Sequence, residues 1–376
     1  MTIASDYLVE FLHQALVRDQ EGGLQTWSET FDHLREGWQI TDCQRMLREL
    51  KGFAWSEQLQ PATLILVKAA EGTLEAQLSH WDRAIACYQQ ALEMVRQIGD
   101  RGSEASLLSN LGNIYYLADK LPLALDSYRQ ALVIYQELSD EQGEALVLTN
   151  LGNVYRDSGQ LGEASTCYEK GLALQRQHSR QDVVAITLVN LGSVMQLQGK
   201  GAEAETAYKM ALSFFTEVED LYGQAQVLGN LGTLYLNNDQ VEKAVECFVQ
   251  DLDLNQRLGD HASQAQTLNN LAIAYRRLSR PDDALRYYEH SLALKRELGD
   301  RHGEFVTLIN LCYLQQEHGD LAMTQRYLGE ARALAQKLGD SERLARIREL
   351  EAELVSQQYG TGELPAGVHP PSTGRR

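Results

Sequence analysis

Asparagine stands at positions 110, 150, 190, 230, 270 and 310, and the interval between successive copies never varies. A register held that strictly admits few folds, because each unit must be one structural module stacked on the next. Around the asparagine the chain reads Asn-Leu-Gly-Asn-Ile-Tyr at 110–115 and Asn-Leu-Gly-Asn-Val-Tyr at 150–155. The later copies are Asn-Leu-Gly-Ser-Val-Met, Asn-Leu-Gly-Thr-Leu-Tyr, Asn-Leu-Ala-Ile-Ala-Tyr and Asn-Leu-Cys-Tyr-Leu-Gln. Further along each unit comes a small residue, an aromatic four later, and usually another small residue three after that. These are Ala124/Tyr128/Ala131, Ala164/Tyr168/Gly171, Ala204/Tyr208/Ala211, Ala244/Phe248/Asp251 and Ala284/Tyr288/Ser291. A first copy without the asparagine holds Gly72 and Ala84/Tyr88/Ala91, and a degenerate last copy holds Thr324/Leu328/Ala331.

The spacing has a mechanical meaning. Leu108, Leu111 and Tyr115 share one face of a first helix. Gly112 falls where a second helix must come close, and Tyr128 fills the space between the small residues Ala124 and Ala131. Gly99-Asp100, Gly259-Asp260, Gly299-Asp300 and Gly339-Asp340 supply a helix stop and then a helix start, since glycine takes the left-handed cap and aspartate accepts from free N–H groups. Within a unit, Gly159, Gly199, Asn237-Asn238 and Gly319 mark the turn. Pro281 is expected in a first helical turn, where its missing N–H costs little. Only 6 prolines occur, and four of them (Pro61, Pro365, Pro370, Pro371) lie outside the middle of the chain.

This is the Leu-Gly-x-x-Tyr … Ala-x-x-x-Phe/Tyr … Ala pattern of the tetratricopeptide repeat, here in a longer unit and with Gly-Asp in place of the usual terminal proline. Over roughly residues 62–340 the chain resembles the repeats of the Pins/LGN cell-polarity adaptors and, more loosely, kinesin light chain. The resemblance implies an all-α, right-handed superhelical solenoid with helical caps. Seven units are expected at 61–100, 101–140, 141–180, 181–220, 221–260, 261–300 and 301–340. Residues 1–60 then form an N-terminal cap or small bundle, with helices expected at Ile3–Arg18, Leu24–Glu36 and Asp42–Gly52. A capping helix is expected over 341–357, with Leu344, Ile347, Leu350 and Leu354 on one side, and a disordered tail over 358–376.

Ser106, Asn110, Asn113 and Leu117 are spaced i, i+4, i+7 and i+11, a single stripe beside the core stripe. Asparagine is up to about 0.7 kcal/mol worse than alanine inside a helix, so six of them call for an offsetting role. An amide offers a donor and an acceptor, the complement of a peptide group. In the resembling families asparagines at this place contact the backbone of the ligand. The alternative is that each amide ties neighbouring units together, and the two roles are compatible. Residual identity after duplication is a poor explanation, because position 109 and its counterparts read Ser, Thr, Val, Gly, Asn and Ile.

The expected binding residues are therefore Asn110, Asn150, Asn190, Asn230, Asn270 and Asn310, with Asn113 and Asn153 beside them. Arg156, Arg276 and Arg277 would favour acidic residues in the ligand. Leu146, Ile186, Val189, Ile273, Val306, Ile309 and Tyr313 would supply apolar pockets or inter-repeat core.

Other function classes find little support. The net charge of −18 opposes nucleic-acid binding. Met1 to Val17 has no basic segment ahead of its apolar residues, and no apolar run is long enough to span a bilayer. A cytoplasmic protein is expected. Cys87, Cys167 and Cys247 recur in alternate units, too distant in a stack for a disulfide. No metal-ligand spacing, cofactor motif or catalytic constellation occurs, so no cofactor, metal or enzymatic activity is expected. The sequence reads as a scaffold or adaptor that holds an extended peptide in a groove. Two alternatives are a peptide-sensing regulator resembling the bacterial Rap family, with an N-terminal effector bundle, and an assembly chaperone.

Overall fold

The computed structural model describes residues 20–37, 40–56, 61–177 and 181–359. Among them α1 (Gln20–Glu36) and α2 (Ile40–Ser56) precede seven helix pairs. The pairs are α3 (Pro61–Gln77) with α4 (Trp81–Ile98), α5 (Arg101–Leu117) with α6 (Leu121–Leu138), and α7 (Glu141–Asp157) with α8 (Leu161–Gln177). Next come α9 (Gln181–Leu197) with α10 (Gly201–Glu217), and α11 (Leu221–Asn237) with α12 (Val241–Leu258). The last are α13 (His261–Arg277) with α14 (Pro281–Leu298) and α15 (Arg301–Glu317) with α16 (Leu321–Leu338), closed by α17 (Ser341–Tyr359). Each pair falls within one of the units expected from the repeat. The chain divides into two compact units, Met1–Ala211 and Leu212–Arg376.

Five of the seven pairs are held by an aromatic ring seated on a missing side chain. A Cβ placed on Gly152 would lie 2.5 Å from the ring of Tyr168, and one on Gly232 equally close to Phe248. Gly72 with Tyr88, Gly112 with Tyr128 and Gly192 with Tyr208 repeat the contact. Tyr128, Tyr168, Tyr208 and Phe248 are at most 1% exposed. In the last unit Cys312 stands in the glycine's place and Leu328 in the ring's, so the larger residue on one helix is matched by a smaller one on the other.

The same compensation operates between units. Tyr135, late in α6, lies against Gly143 at the start of α7, and Phe215 lies against Gly223. Where the first position is Val95, Gln175 or Asn255, the second carries a side chain: Ser103, Val183 or Ser263. The buried carboxylates Glu104 and Glu304 bind these junctions further. Arg96 and Arg101 reach Glu104 at 2.7 and 2.6 Å, and Arg296 and Arg301 both reach Glu304 at 2.9 Å. Burial alone would raise both carboxyl pKa values, but the guanidinium bonds hold them below the ordinary range.

The junctions follow the expected caps. Gly99, Gly259, Gly299 and Gly339 take φ between 65° and 75°, and Asp100, Asp260, Asp300 and Asp340 accept from the backbone N–H three residues on. Ser139 and Glu219 adopt the same left-handed conformation without being glycine. Inside the units the left-handed residue is Gly159, Gly199 or Gly319 in three as expected and Ser79, Asp119 or Ser279 in three others, but in the fifth unit it is Asp239. Asn238 only ends α11 there. The register of the repeat fixes which residue must turn, and it overrides the side chain's own preference.

At the N-terminal end, Trp27 stacks on Phe31 at 4.9 Å. Both are buried with Met46, Leu50, Val67 and Leu74, so α1, α2 and α3 share one core. The helices expected at Leu24–Glu36 and Asp42–Gly52 fall within α1 and α2; Ile3–Arg18 lies outside the described residues. At the other end Ile347 and Leu350 are buried, with Leu344 and Leu354 packed beside them. The closing helix reaches Tyr359, past the expected end at 357. Residues 360–376 lie outside those described.

Gly152→Ala should cost about 1–3 kcal/mol, because the ring of Tyr168 has no room to move aside in a close-packed pair. Adding Tyr168→Leu should recover part of that loss, as the Cys312 and Leu328 pairing implies. Gly329→Ala, whose Cβ would meet nothing within 4 Å, should gain up to about 1 kcal/mol. Thermal and urea unfolding of the three variants would check the order.

Candidate functional site

In each compact unit the first helices of successive pairs touch one another more closely than the second helices do. They therefore line the inner side of each stack, and the six asparagines lie on them. Asn110 is exposed, and Asn150, Asn190, Asn230, Asn270 and Asn310 are half-buried beside leucines that are fully packed.

Their amides are used unequally. Asn150 Nδ2 donates to Asn113 Oδ1 of the preceding unit at 3.1 Å, and Asn310 Nδ2 donates to Asn269 Oδ1 at 3.2 Å. Asn270 Oδ1 accepts a long 3.5 Å bond from Gln266 within its own helix. Asn110, Asn190 and Asn230 make no side-chain hydrogen bond among the described residues. Inter-repeat tying thus accounts for two of the six. Even there one end only of the amide is taken, and the carbonyl oxygens of Asn150 and Asn310 accept no hydrogen bond among the described residues.

Asn113 and Asn153 are committed more deeply. Asn113 Oδ1 accepts from the hydroxyl of Tyr128 as well as from Asn150, and Asn153 Oδ1 accepts from Tyr168 at 2.7 Å. Each satisfies the polar tip of a ring whose body is buried, as a buried tyrosine requires. The three arginines also have partners. Arg156 pairs with Asp157, Arg276 pairs with Glu317 of the next unit, and Arg277 donates to the backbone oxygen of Leu236 in the preceding one. That carbonyl, in the last turn of α11, also accepts from the backbone N–H of Asp239 in the capping turn.

The apolar positions divide. Leu146, Ile186 and Val306 stand exposed on the stripe, whereas Val189 is buried and Ile273, Ile309 and Tyr313 pack against the core. Leu117 and Leu197, at 58% and 62% exposure, lie on the same stripe. Tyr222, also 62% exposed, stands one turn before the stripe's first position.

One feature of the second compact unit departs from the repeat. Asp251 occupies the place held elsewhere by Ala91, Ala131, Gly171, Ala211, Ser291 and Ala331, and it is 5% exposed. Its two carboxylate oxygens accept from Asn255 Nδ2 and Thr267 Oγ1, each at 2.7 Å. Gly229 stands opposite, and a Cβ there would lie 3.3 Å from Oδ2. A cavity of about 300 Å³ opens above the carboxylate, walled by Tyr222, Gln226, Asn230 and Thr233 of α11 and by Gln266 and Asn270 of α13. Burial pushes the Asp251 carboxyl up to about 6 against the two hydrogen bonds, and the one further charge that bears on it, Asp260, pushes the same way. Asp251 has no basic partner among the described residues. In the sequence Asp251 is only an irregular member of a small-residue column; the burial and the facing glycine emerge from the structure.

A carboxyl whose folded-state pKa exceeds its unfolded value favours folding when protonated, so this group's contribution improves as pH falls from above 6 towards 4. Asp251→Asn should therefore stabilise the protein at pH 7–8, by on the order of 2 kcal/mol. The advantage should vanish near pH 4, where the wild-type carboxyl carries its own proton. Paired melting curves across that range would check it.

The profile of the tetratricopeptide repeat family matches residues 69–137, 103–177, 143–217, 183–250 and 223–297. No curated protein matches the chain in sequence. Among solved structures, the apo form of RapI is similar with a TM-score of 0.65 at 14% identity, over 90% of this chain and 99% of RapI. The apo form of the quorum sensor NprR from B. thuringiensis gives 0.64 at 16% identity, over 89% and 96% of the two chains. A Rap protein complexed with Competence and Sporulation Factor gives 0.50 at 19% identity, over 73% and 80%. At these identities the structural likeness speaks to the fold alone, while the profile covers more than half the sequence, and the chain belongs to the tetratricopeptide repeat family.

Proposed function

We propose that this chain is a protein-interaction scaffold which holds an extended peptide segment of a partner along the inner face of its first helices. The observation that carries this reading is the row of asparagine amides, recurring in six of the seven units on those helices with donors or acceptors left open. An extended peptide exposes an N–H and a C=O at every residue, and an amide can meet both. The exposed Leu117, Leu146, Ile186, Leu197 and Val306 beside the row would take the peptide's apolar side chains, giving register and selectivity where the amides give grip. The complex of a Rap protein with Competence and Sporulation Factor supports a ligand-binding role for a stack of this kind. No catalytic step, cofactor, nucleic acid or membrane insertion belongs to this reading, and an intracellular setting fits it.

The pairing of Arg156, Arg276 and Arg277 inside the protein weakens the expectation of an acidic ligand. The remaining open amides are Asn110, Asn190 and Asn230, and these are the residues on which binding should depend most. Changing them together to alanine should leave the melting temperature unchanged or slightly raised, since alanine is the better helix former. It should weaken capture of a co-purifying partner, or of the best binder from a random peptide array, by tenfold or more. Asn150→Ala with Asn310→Ala should instead lower stability by about 1 kcal/mol through the lost inter-repeat bonds. Fluorescence anisotropy and thermal melts on both variants would separate the two roles; undiminished binding by the first would sink the groove reading.

A further inference from the structure

The cavity over Asp251 interrupts the row of asparagines between Asn230 and Asn270, and its chemistry is specific. It is walled by amides, hydroxyls and one exposed aromatic ring, and its floor is a single carboxylate. Six sister positions are Ala, Gly or Ser, so the fold itself needs no side chain of this size or charge there. The facing position has shrunk to Gly229, where sister units carry Ala69, Ser109, Thr149, Val189, Asn269 and Ile309. Two adjoining departures from the repeat thus act together: one brings in a charge, the other opens the space above it. Isolated ionised carboxylates are costly to bury, and this one lies beside no cation among the described residues.

We infer that this cavity is a subsite for a basic side chain, lysine or arginine, of the bound peptide. The inference rests on the peptide-groove reading above and adds to it the chemical class that the ligand must present between α11 and α13. A guanidinium or ammonium entering the cavity would supply the counter-charge that Asp251 lacks. Its remaining N–H donors would find the side-chain oxygens of Asn230, Gln266 and Asn270. Tyr222 stands at the rim, where its ring face can cover a cation. At about 300 Å³ the cavity has room for the end of a long basic side chain. The groove asparagines recognise a peptide backbone whatever its sequence; Asp251 would select one residue in it and so fix the register of the whole segment.

The test uses the full-length protein and a fixed array of random dodecapeptides. The strongest binders to the wild-type chain should share a lysine or arginine. Replacing that residue with citrulline or norleucine should weaken binding at least tenfold in fluorescence anisotropy at pH 7.5. Asp251→Asn should weaken the parent peptide as much and the citrulline peptide no further, because both changes remove the same pair. Gly229→Ala, which keeps the charge and narrows the cavity, should also weaken the basic peptide. The Asp251→Asn chain is expected to be the more stable of the two, so lost binding would not be lost folding. Binders without any preference for a basic residue, or equal binding by Asp251→Asn, would overturn the subsite and leave the groove standing. An array with no binders at all would overturn the groove and the subsite together.

Discussion

The contact on which the rest of the molecule depends is an aromatic ring laid against the bare backbone of a glycine. It sets the distance between the two helices of a unit, and because it recurs at a constant interval it sets the same distance in each of the first five units. A tyrosine in that seat buries its ring and must still satisfy its hydroxyl. Thr73, Asn113, Asn153 and Gln196 partner that group for Tyr88, Tyr128, Tyr168 and Tyr208. Part of the inner face is therefore already committed to the core, while the side-chain amides of Asn110, Asn190 and Asn230 make no hydrogen bond among the described residues. Packing and the proposed recognition share one stripe of the helix, and the hydrogen bonds separate the amides that serve the first from those left for the second.

Most of the architecture is legible in the sequence. The constant period, the Leu-Gly-x-x-Tyr signature and the Gly-Asp junctions each carry a distinct physical demand, and each is met where it is expected. The turn of the fifth unit falls a residue or two away from its expected place, because Asn237 and Asn238 look like better turn formers than Asp239. Local preference yields there to the register of the repeat. The site is less legible. Asn110 and Asn150 are indistinguishable in sequence, yet one is open and the other bonded across a junction, since that bond depends on what the neighbouring helix presents. The arginines look available for a ligand because bonds between successive units leave no local trace. Asp251 and Gly229 are both visible as irregularities, but nothing in a linear reading says that they face each other.

Charge follows the same logic of local exceptions. Glu104 and Glu304 are buried and each meets two guanidinium groups, so their negative charge is offset within the protein. Asp251 is buried to a similar degree and meets only neutral donors. The first arrangement is complete in the free protein, and the second is half of one.

The matched sizes at the junctions between units also bear on how such a chain can change. The asparagine register is so regular that unequal crossing-over could remove one whole unit and leave the pattern intact. Loss of residues 141–180 would join Asp140 to Gln181 and bring Tyr135 against Val183, where it now meets Gly143. The seam would be overfilled although every signature residue survived. The units are thus interchangeable in their interiors and keyed at their edges, and it is the keys that hold the order of the array.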